Sequence, residues 1–475
     1  MAFAPGRIAG DGAAARRRIW GWMFFDLAQQ PYATLGLTFV FGPYFAAVAS
    51  GLFQAEGADP AEAGARAQSL WGLAQGIAGT AIALSAPFLG AWADASGRRM
   101  PWILALSVPY VLCAWSLWFL LPDGTNLLPV LALFWVGFVA GESALNVNNA
   151  QLPSLAPRSE IGRVSGSGAA LGYWGGVVSL VAVLLFLAEG EGGRTLLGLE
   201  PAFGLLDGAL REGTRAVGPF IAIWFVVALI PFVLWVRDPP PEARRDLRPR
   251  SVLRDLGRTV RDAWERRSLR WFLLGSMLYR DGLGALYSFG GVYATVVLGW
   301  DVILIGIFGL VAAVAAAAIT WAGGLADRRW GPKPVLTAAC WALILVCLVL
   351  VGMGREAAFG LPLPPGSRLP DAVFFVCGAL IGGAGGALYA ASRTMMVRHS
   401  REAEAGRAFG LFALTGRATA FLAPLLVAGA TAVTGSAQSG LVPVIVLFLG
   451  GLWLLRFVKP DGDRAPCPAA ASPFS

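Results

Sequence analysis

Twelve apolar runs, each long enough to cross a bilayer, decide what this chain can fold into. They span 20–49, 69–93, 101–121, 127–150, 165–188, 217–236, 271–298, 302–325, 334–353, 371–392, 406–431 and 440–458. A helix rises about 1.5 Å per residue, so roughly 20 residues cover a hydrocarbon core about 30 Å thick. Inside that core every backbone N–H and C=O must find a partner, which a helix supplies within its own segment. The strands of a membrane barrel would be about ten residues of alternating polarity, and these runs are apolar all round. Only 14% of the 475 residues are charged and 56% are hydrophobic, where a soluble chain would carry about a quarter charged residues. The expected fold is therefore an all-α membrane protein of twelve transmembrane helices.

The remaining composition fits that setting. The 61 Gly and 30 Pro would break soluble helices, but in membranes small residues let helices approach closely. Gly382, Gly383, Gly385 and Gly386, and the segment Gly172 to Gly176, read as packing surfaces. Cys113, Cys340, Cys347, Cys377 and Cys467 lack metal-ligand spacing and read as small hydrophobes. His399 is the single histidine, which argues against histidine-based metal chemistry. The first apolar run follows Arg16, Arg17 and Arg18 and is too long for a cleaved signal.

Charge placement sets orientation. Of the 37 Lys and Arg, 29 fall at the termini and in the loops after runs 2, 4, 6, 8 and 10. The positive-inside rule puts those segments, and both termini, in the cytoplasm of a bacterial-type inner membrane. The formal charge of +8 is thus a topology signal and not a nucleic-acid interface.

The chain divides into a cytoplasmic tail at 1–19, six helices at 20–236, a linker at 237–270, six helices at 271–458 and a tail at 459–475. Within the linker, Leu253, Leu256, Val260 and Trp264 recur at helical spacing among arginines, which predicts an amphipathic helix on the membrane surface. Outer loops 189–216 and 354–370 are expected to be flexible, and the tail after 460 disordered.

The two sets of six helices are related. GAWADASGRRMP at 90–101 returns, loosened, as GGLADRRWGPKP at 323–334. Gly162 and Arg163 match Gly406 and Arg407, and Asp26 and Tyr32 match Asp281 and Tyr287. Three such pairs argue for an ancestral duplication into two pseudo-symmetric bundles, with a site between them.

The loop G-x-x-x-D-x-x-G-R-R, its echo and the twelve-helix plan resemble the major facilitator superfamily over 20–458. Ala95 stands where that superfamily usually has Arg, and the second copy has an extra residue before Gly331. WGWMFFDLAQQPYATLGLTFVFGPYFA (20–46) and NNAQLPSLAPRSEIGRVSGSGAALGYWGG (148–176) further resemble the branch of the fungal autophagy-related vacuolar amino-acid effluxers. The resemblance implies a transporter that works by alternating access, with helices 1, 4, 7 and 10 lining its cavity. It also implies a gating loop at Gly90, Asp94, Gly97, Arg98 and Arg99, echoed at Asp327 and Lys333, with Arg163 and Arg407 as a second repeated element. Asp94 at the end of a helix can hold the start of a neighbouring helix, or pair with Arg98, Arg99 or an arginine of the 4–5 loop.

Ionisable groups inside membrane helices are costly and are functional candidates. Asp26, Glu142, Arg280, Asp281 and Arg417 are the five found here. Asp26 and Asp281 would form a pair near the midline that carries a proton, or serve as structural ion-pair partners. Arg280 and Arg417 would hold a substrate carboxylate. Glu142, Asn146 and Asn149 share a helix face; Gln29, Gln30, Tyr32 and Tyr287 add hydrogen-bonding groups. Pro31 and Pro43 would kink the first helix. There is no phosphate-binding loop of the ATPase type, and GSGAALG at 166–172 lies within an apolar run with no preceding strand.

These observations predict a monomeric secondary transporter, not an enzyme, with no cofactor. Its expected partners are the bilayer and a small polar solute, amino acids first, with protons as the candidate coupling ion. A multidrug-type exporter of hydrophobic compounds, and a non-transporting scaffold or sensor, remain the alternatives.

Overall fold

The computed structural model describes residues 12–190, 193–238, 249–300, 302–434 and 438–463. The first bundle contains α1 (Gly12–Ala55), α2 (Pro60–Ser96), α3 (Met100–Trp115), α4 (Leu127–Asn149), α5 (Ile161–Phe186) and α6 (Val217–Trp235). The second contains α7 (Arg267–Val296), α8 (Val302–Trp330), α9 (Pro332–Gly352), α10 (Leu369–His399), α11 (Ala405–Ala418 and Leu422–Thr434) and α12 (Val442–Leu455). Among the described residues, eleven helices are long and apolar enough to cross a membrane by themselves. The twelfth is α7, whose 30 residues include Arg270, Arg280 and Asp281; tertiary packing on α12, α11 and α10 completes it.

Helix α1 is broken where the sequence places Pro31. Proline lacks the N–H that would bond the carbonyl four residues back. That carbonyl, Leu27 O, instead accepts from the Trp224 indole N–H of α6 at 3.1 Å. Beyond Pro31 the backbone widens into a π-helix over Tyr32–Phe39, and Val40 (φ −125°, ψ −66°) ends it before Phe41–Ala55.

The halves meet along two symmetric seams, α2 against α11 and α5 against α8. Both seams bring backbone to backbone. A Cβ on Gly90 would overlap the carbonyl of Gly406, and one on Gly166 would come 2.5 Å from Gly324 Cα. These contacts lie toward the ends of α2, α8, α5 and α11 that carry the basic loops, here termed the basic face.

Several boundaries differ from the sequence reading. Helix α1 already runs from Gly12, the first described residue, inside the segment read as a 1–19 tail, and Asp26 lies 14 residues further on, about 21 Å along the axis. Helix α7 begins at Arg267, directly after a linker helix at Pro249–Glu265. Val260 and Trp264 on that helix are exposed, whereas the side chains of Leu253 and Leu256 lie outside the described residues. Helix α10 continues past 392 to His399. The outer loops expected to be flexible hold local structure. Ala357–Ala358 pairs with Leu361–Pro362, and Glu189 accepts from the amides of Gly213 and Thr214 at 2.7 and 2.8 Å. At the start of the C-terminal tail, Asp463 accepts from the Ser268 amide at 2.8 Å. Residues 1–11 and 464–475, with Cys467, lie outside the described residues.

Candidate substrate cavity and gate

The helices converge on a charged pair between the halves. Glu142 of α4 accepts from the Arg417 guanidinium of α11 at 3.0 Å and from the Gln29 amide of α1 at 3.4 Å. Both side chains of the pair are 27% exposed, so water reaches a salt bridge that lies within membrane helices. A cavity of about 100 Å³ opens beside it, bounded by Gln29, Gln30, Tyr32, Tyr110, Phe138 and Glu142. The Arg417 guanidinium lies 5.7 Å from the Phe138 ring centre, an attractive arrangement of cation on aromatic face.

In the second bundle, Arg280 of α7 donates to the Phe412 carbonyl at 2.9 Å and lies 4.3 Å over the Phe412 ring. Gly416 makes room for it, because a Cβ there would overlap the guanidinium. The Arg280 Nε is buried without a partner among the described residues. On the same face of α7, Gly284, Tyr287 and Ser288 are exposed, four, seven and eight residues on, one helical stripe. Tyr287 packs its hydroxyl on Gly385 of α10, and the Tyr173 ring of α5 packs on Gly386.

Asp26 is buried and bound elsewhere. It accepts from Arg393 of α10 at 3.1 Å; the same guanidinium donates to Asn149 at 3.1 Å and to the Ser165 carbonyl at 2.8 Å. One arginine of the second bundle thus ties α1, α4 and α5 of the first. From the sequence, Arg393 is expected only to close helix 10 with Tyr389 and Ser392, and it is not counted among the charges inside helices because the apolar run stops at 392. Carrying the Arg163–Arg407 match back without a gap pairs Arg393 with Asn149, the very residue it bonds. Asp281 is buried beside Thr419, at the break in α11. Asp26 thus takes the alternative reading, a structural ion pair with an arginine, whereas Asp281 Oδ2 has no hydrogen-bond partner among the described residues. Asn146 is half-buried on the Glu142 face.

The repeated loops behave unequally. Asp94, 1% exposed, accepts from the amides of Gly406 and Arg407 at 3.0 and 2.9 Å and from Arg99 at 3.0 Å. It caps α11 across the seam, where the helix dipole and open N–H groups favour an anion. The nearby arginine on the second bundle is Arg407, its Nε at 3.8 Å, and not one from the 4–5 loop. Gly97 (φ +66°) ends α2, and Arg99 also donates to the Glu402 carbonyl at 2.8 Å. Arg98 is exposed and its amide bonds Ser96, so it does not join this network. Asp327, the counterpart of Asp94, abuts Gly162, yet neither of its oxygens has a hydrogen-bond partner among the described residues. Lys333 donates to the Val458 carbonyl at 2.8 Å within its own bundle, because that helix end leaves carbonyls open. The cross-seam ion pair is instead Arg328 with Glu160 at 2.7 Å, and Arg163 pairs with Glu160 at 2.9 Å.

The family described as vacuole effluxer Atg22 like matches residues 14–465. The chain belongs to this family. The MFS-type transporter YxiO of Bacillus subtilis (strain 168), itself uncharacterized, is similar to the Atg22-like chain at 23% identity over 446 residues, covering 93% of this chain and 94% of YxiO. Solved structures share the fold. The proton:xylose symporter XylE has a TM-score of 0.68 at 11% identity, covering 95% of this chain and 98% of its own. The human organic anion transporter MFSD10 has 0.64 at 16% identity, covering 93% and 99%. FucP in its outward conformation has 0.58 at 15% identity, with the same coverage. This Atg22-like protein is a transporter of the major facilitator superfamily, with its twelve-helix fold.

Proposed function

We propose that this Atg22-like protein is a secondary transporter of a small polar solute, amino acids first, moved by alternating access with protons as the coupling ion. The observation that carries the reading is the wet Glu142–Arg417 pair, which joins α4 to α11, with Arg280 packed on Gly416, the residue before Arg417, and its Nε unpartnered among the described residues. A zwitterion offers what this pair lacks. Its carboxylate takes the arginines by paired charge-assisted bonds, and its ammonium, or a proton, takes Glu142. The solute thereby replaces a bond between the two bundles, and a ligand shifts a conformational equilibrium only by such differential contacts. The closed seams at the basic face support a state open on the opposite side. With the basic face and both termini in the cytoplasm of a bacterial-type inner membrane, that opposite side is the exterior. The protein works as a monomer with its site between the bundles.

Reconstitution into liposomes with a panel of radiolabelled amino acids, with and without an imposed pH gradient, tests the reading. At least one amino acid should accumulate, faster with the gradient, and Glu142→Gln should abolish the gradient's effect. Selective movement of hydrophobic cations would favour a drug exporter, and no transport of either class would favour a scaffold. Pair geometry that survives while Glu142→Gln transports like the parent would sink the coupling assignment.

A further inference from the structure

A second cavity, of about 430 Å³, lies at the end of the first bundle opposite the basic face. Its walls come from the outer part of α1, through Phe39, Pro43 and Ala47, and from the outer end of α5, through Leu184. Leu184 lies eleven residues beyond Tyr173, about three full turns, so both project from one face of α5, separated by about 16 Å along the axis. Tyr173 faces α10 of the second bundle. The cavity therefore opens toward the gap between bundles, outward of the central site. Its wall also reaches the second bundle, since the Phe39 ring lies against Gly309 of α8.

Two arginines approach this region, and they differ in what they have left to give. Arg215 donates to the Trp118 carbonyl at 2.8 Å and to Leu210 at 3.3 Å, and it lies over the Trp118 ring. Arg211 lines the cavity. Its Nε is buried without a hydrogen-bond partner among the described residues, and its backbone is held in the left-handed region at φ +52°. The nearest acid, Glu189, lies 4.0 Å away. Its oxygens are already occupied by the amides of Gly213 and Thr214 and by the Thr214 hydroxyl. Glu189 thus draws on the Nε of Arg211 alone, at 4.0 Å, and the rest of the guanidinium, on a side chain 40% exposed, is left to the cavity. Tyr44, Glu189 and Thr214 line the cavity together with Arg211, and an apolar cavity with a few convergent polar groups has the makeup of a small-ligand site.

We propose that this cavity is an outer binding site for an anionic head on a short apolar body, with Arg211 holding the head and the Pro43, Ala47 and Leu184 wall taking the body. Because the wall includes Phe39, which bears on Gly309 of α8, an occupant touches a contact between the two bundles on that side. Two sources share this chemistry, a free organic carboxylate and the head of an outer-leaflet phospholipid.

The full chain in nanodiscs of zwitterionic lipid is titrated with 3-phenylpropionate, with 3-phenylpropylamine as the charge-reversed control, and read by ligand-observed NMR. The carboxylate should bind and the amine should not. Arg211→Gln should weaken carboxylate binding about tenfold, a single lost charge-assisted bond, while Arg211→Lys retains most of it. Ala47→Trp should block carboxylate binding without changing the melting temperature by more than a few degrees. Arg280→Gln, at the central site, should leave this binding unchanged. Native mass spectrometry of detergent-purified protein supplies the other arm: retained phosphatidylglycerol that is lost in Arg211→Gln assigns the occupant as a lipid head. If Arg211→Gln binds 3-phenylpropionate like the parent and retains the same lipids, or if only Arg280→Gln weakens binding, the outer site is overturned.

Discussion

Replacing Asp94 with Ala should tip the protein toward opening at the basic face. The magnitude follows from counting only contacts that differ between states. Arg99 belongs to the same bundle as Asp94 and stays with it when α2 and α11 part, whereas the amides of Gly406 and Arg407 do not. Losing a capping carboxylate on two open helix N–H groups costs about 2 kcal/mol at the upper end of such measurements, or about thirtyfold in the ratio of closed to open. Asn at the same position keeps one acceptor oxygen and should shift the ratio about fivefold. Spin labels at Arg98 and Ala403, both exposed on either side of the seam, report the separation by pulsed electron resonance in nanodiscs, with Cys467 changed to Ser. The parent should give one short distance, and Asp94→Ala a long component as large as the short one or larger. A distribution identical to the parent's, in a variant that melts normally, would refute the cross-seam cap as a determinant of the closed state.

Other consequences are as direct. Gly90→Ala should open the same seam without touching a charge, because the added methyl meets the Gly406 backbone, and the same labels read it. Arg393→Met should lower the melting temperature more than the double change Arg393→Met with Asp26→Leu, since removing one partner of a buried pair strands the other at about 3–5 kcal/mol; equal melting temperatures would argue against the pair. Cys113, Cys340, Cys347 and Cys377 are buried, so a maleimide should label them only as the protein unfolds, and rapid native labelling of any of them would contradict the packing.

What the sequence could disclose follows the physics of each signal. Apolar length reveals helices wherever the bilayer demands it, so all twelve spans are legible, α7 at 271–298 among them. It misplaces ends, because a run stops at its first charge while the helix does not: backbone bonds carry α10 seven residues past 392. Arg393, expected only to close helix 10, falls in that gap. A charge there is tolerated only through partners 228, 244 and 367 residues away, which no local pattern contains. The Asp94 cap was legible because a helix-end acid has few alternatives. The separate fates of Asp26 and Asp281 were not, since pseudo-symmetry fixes the height of a residue but not which neighbour it meets.

The two seams where glycine backbones touch carry a further consequence. Interlocked side chains must disengage before helices separate and find the same registry on return. Gly90 against Gly406, and Gly166 against Gly324, present nearly smooth plates that part and rejoin with few rotamers to sort. Such surfaces contribute little adhesion of their own, which leaves the choice of state to the few charges at their rims. Glycine there favours reversibility over strength: a bulkier residue would hold the plates apart, and the closed state would lose its fit.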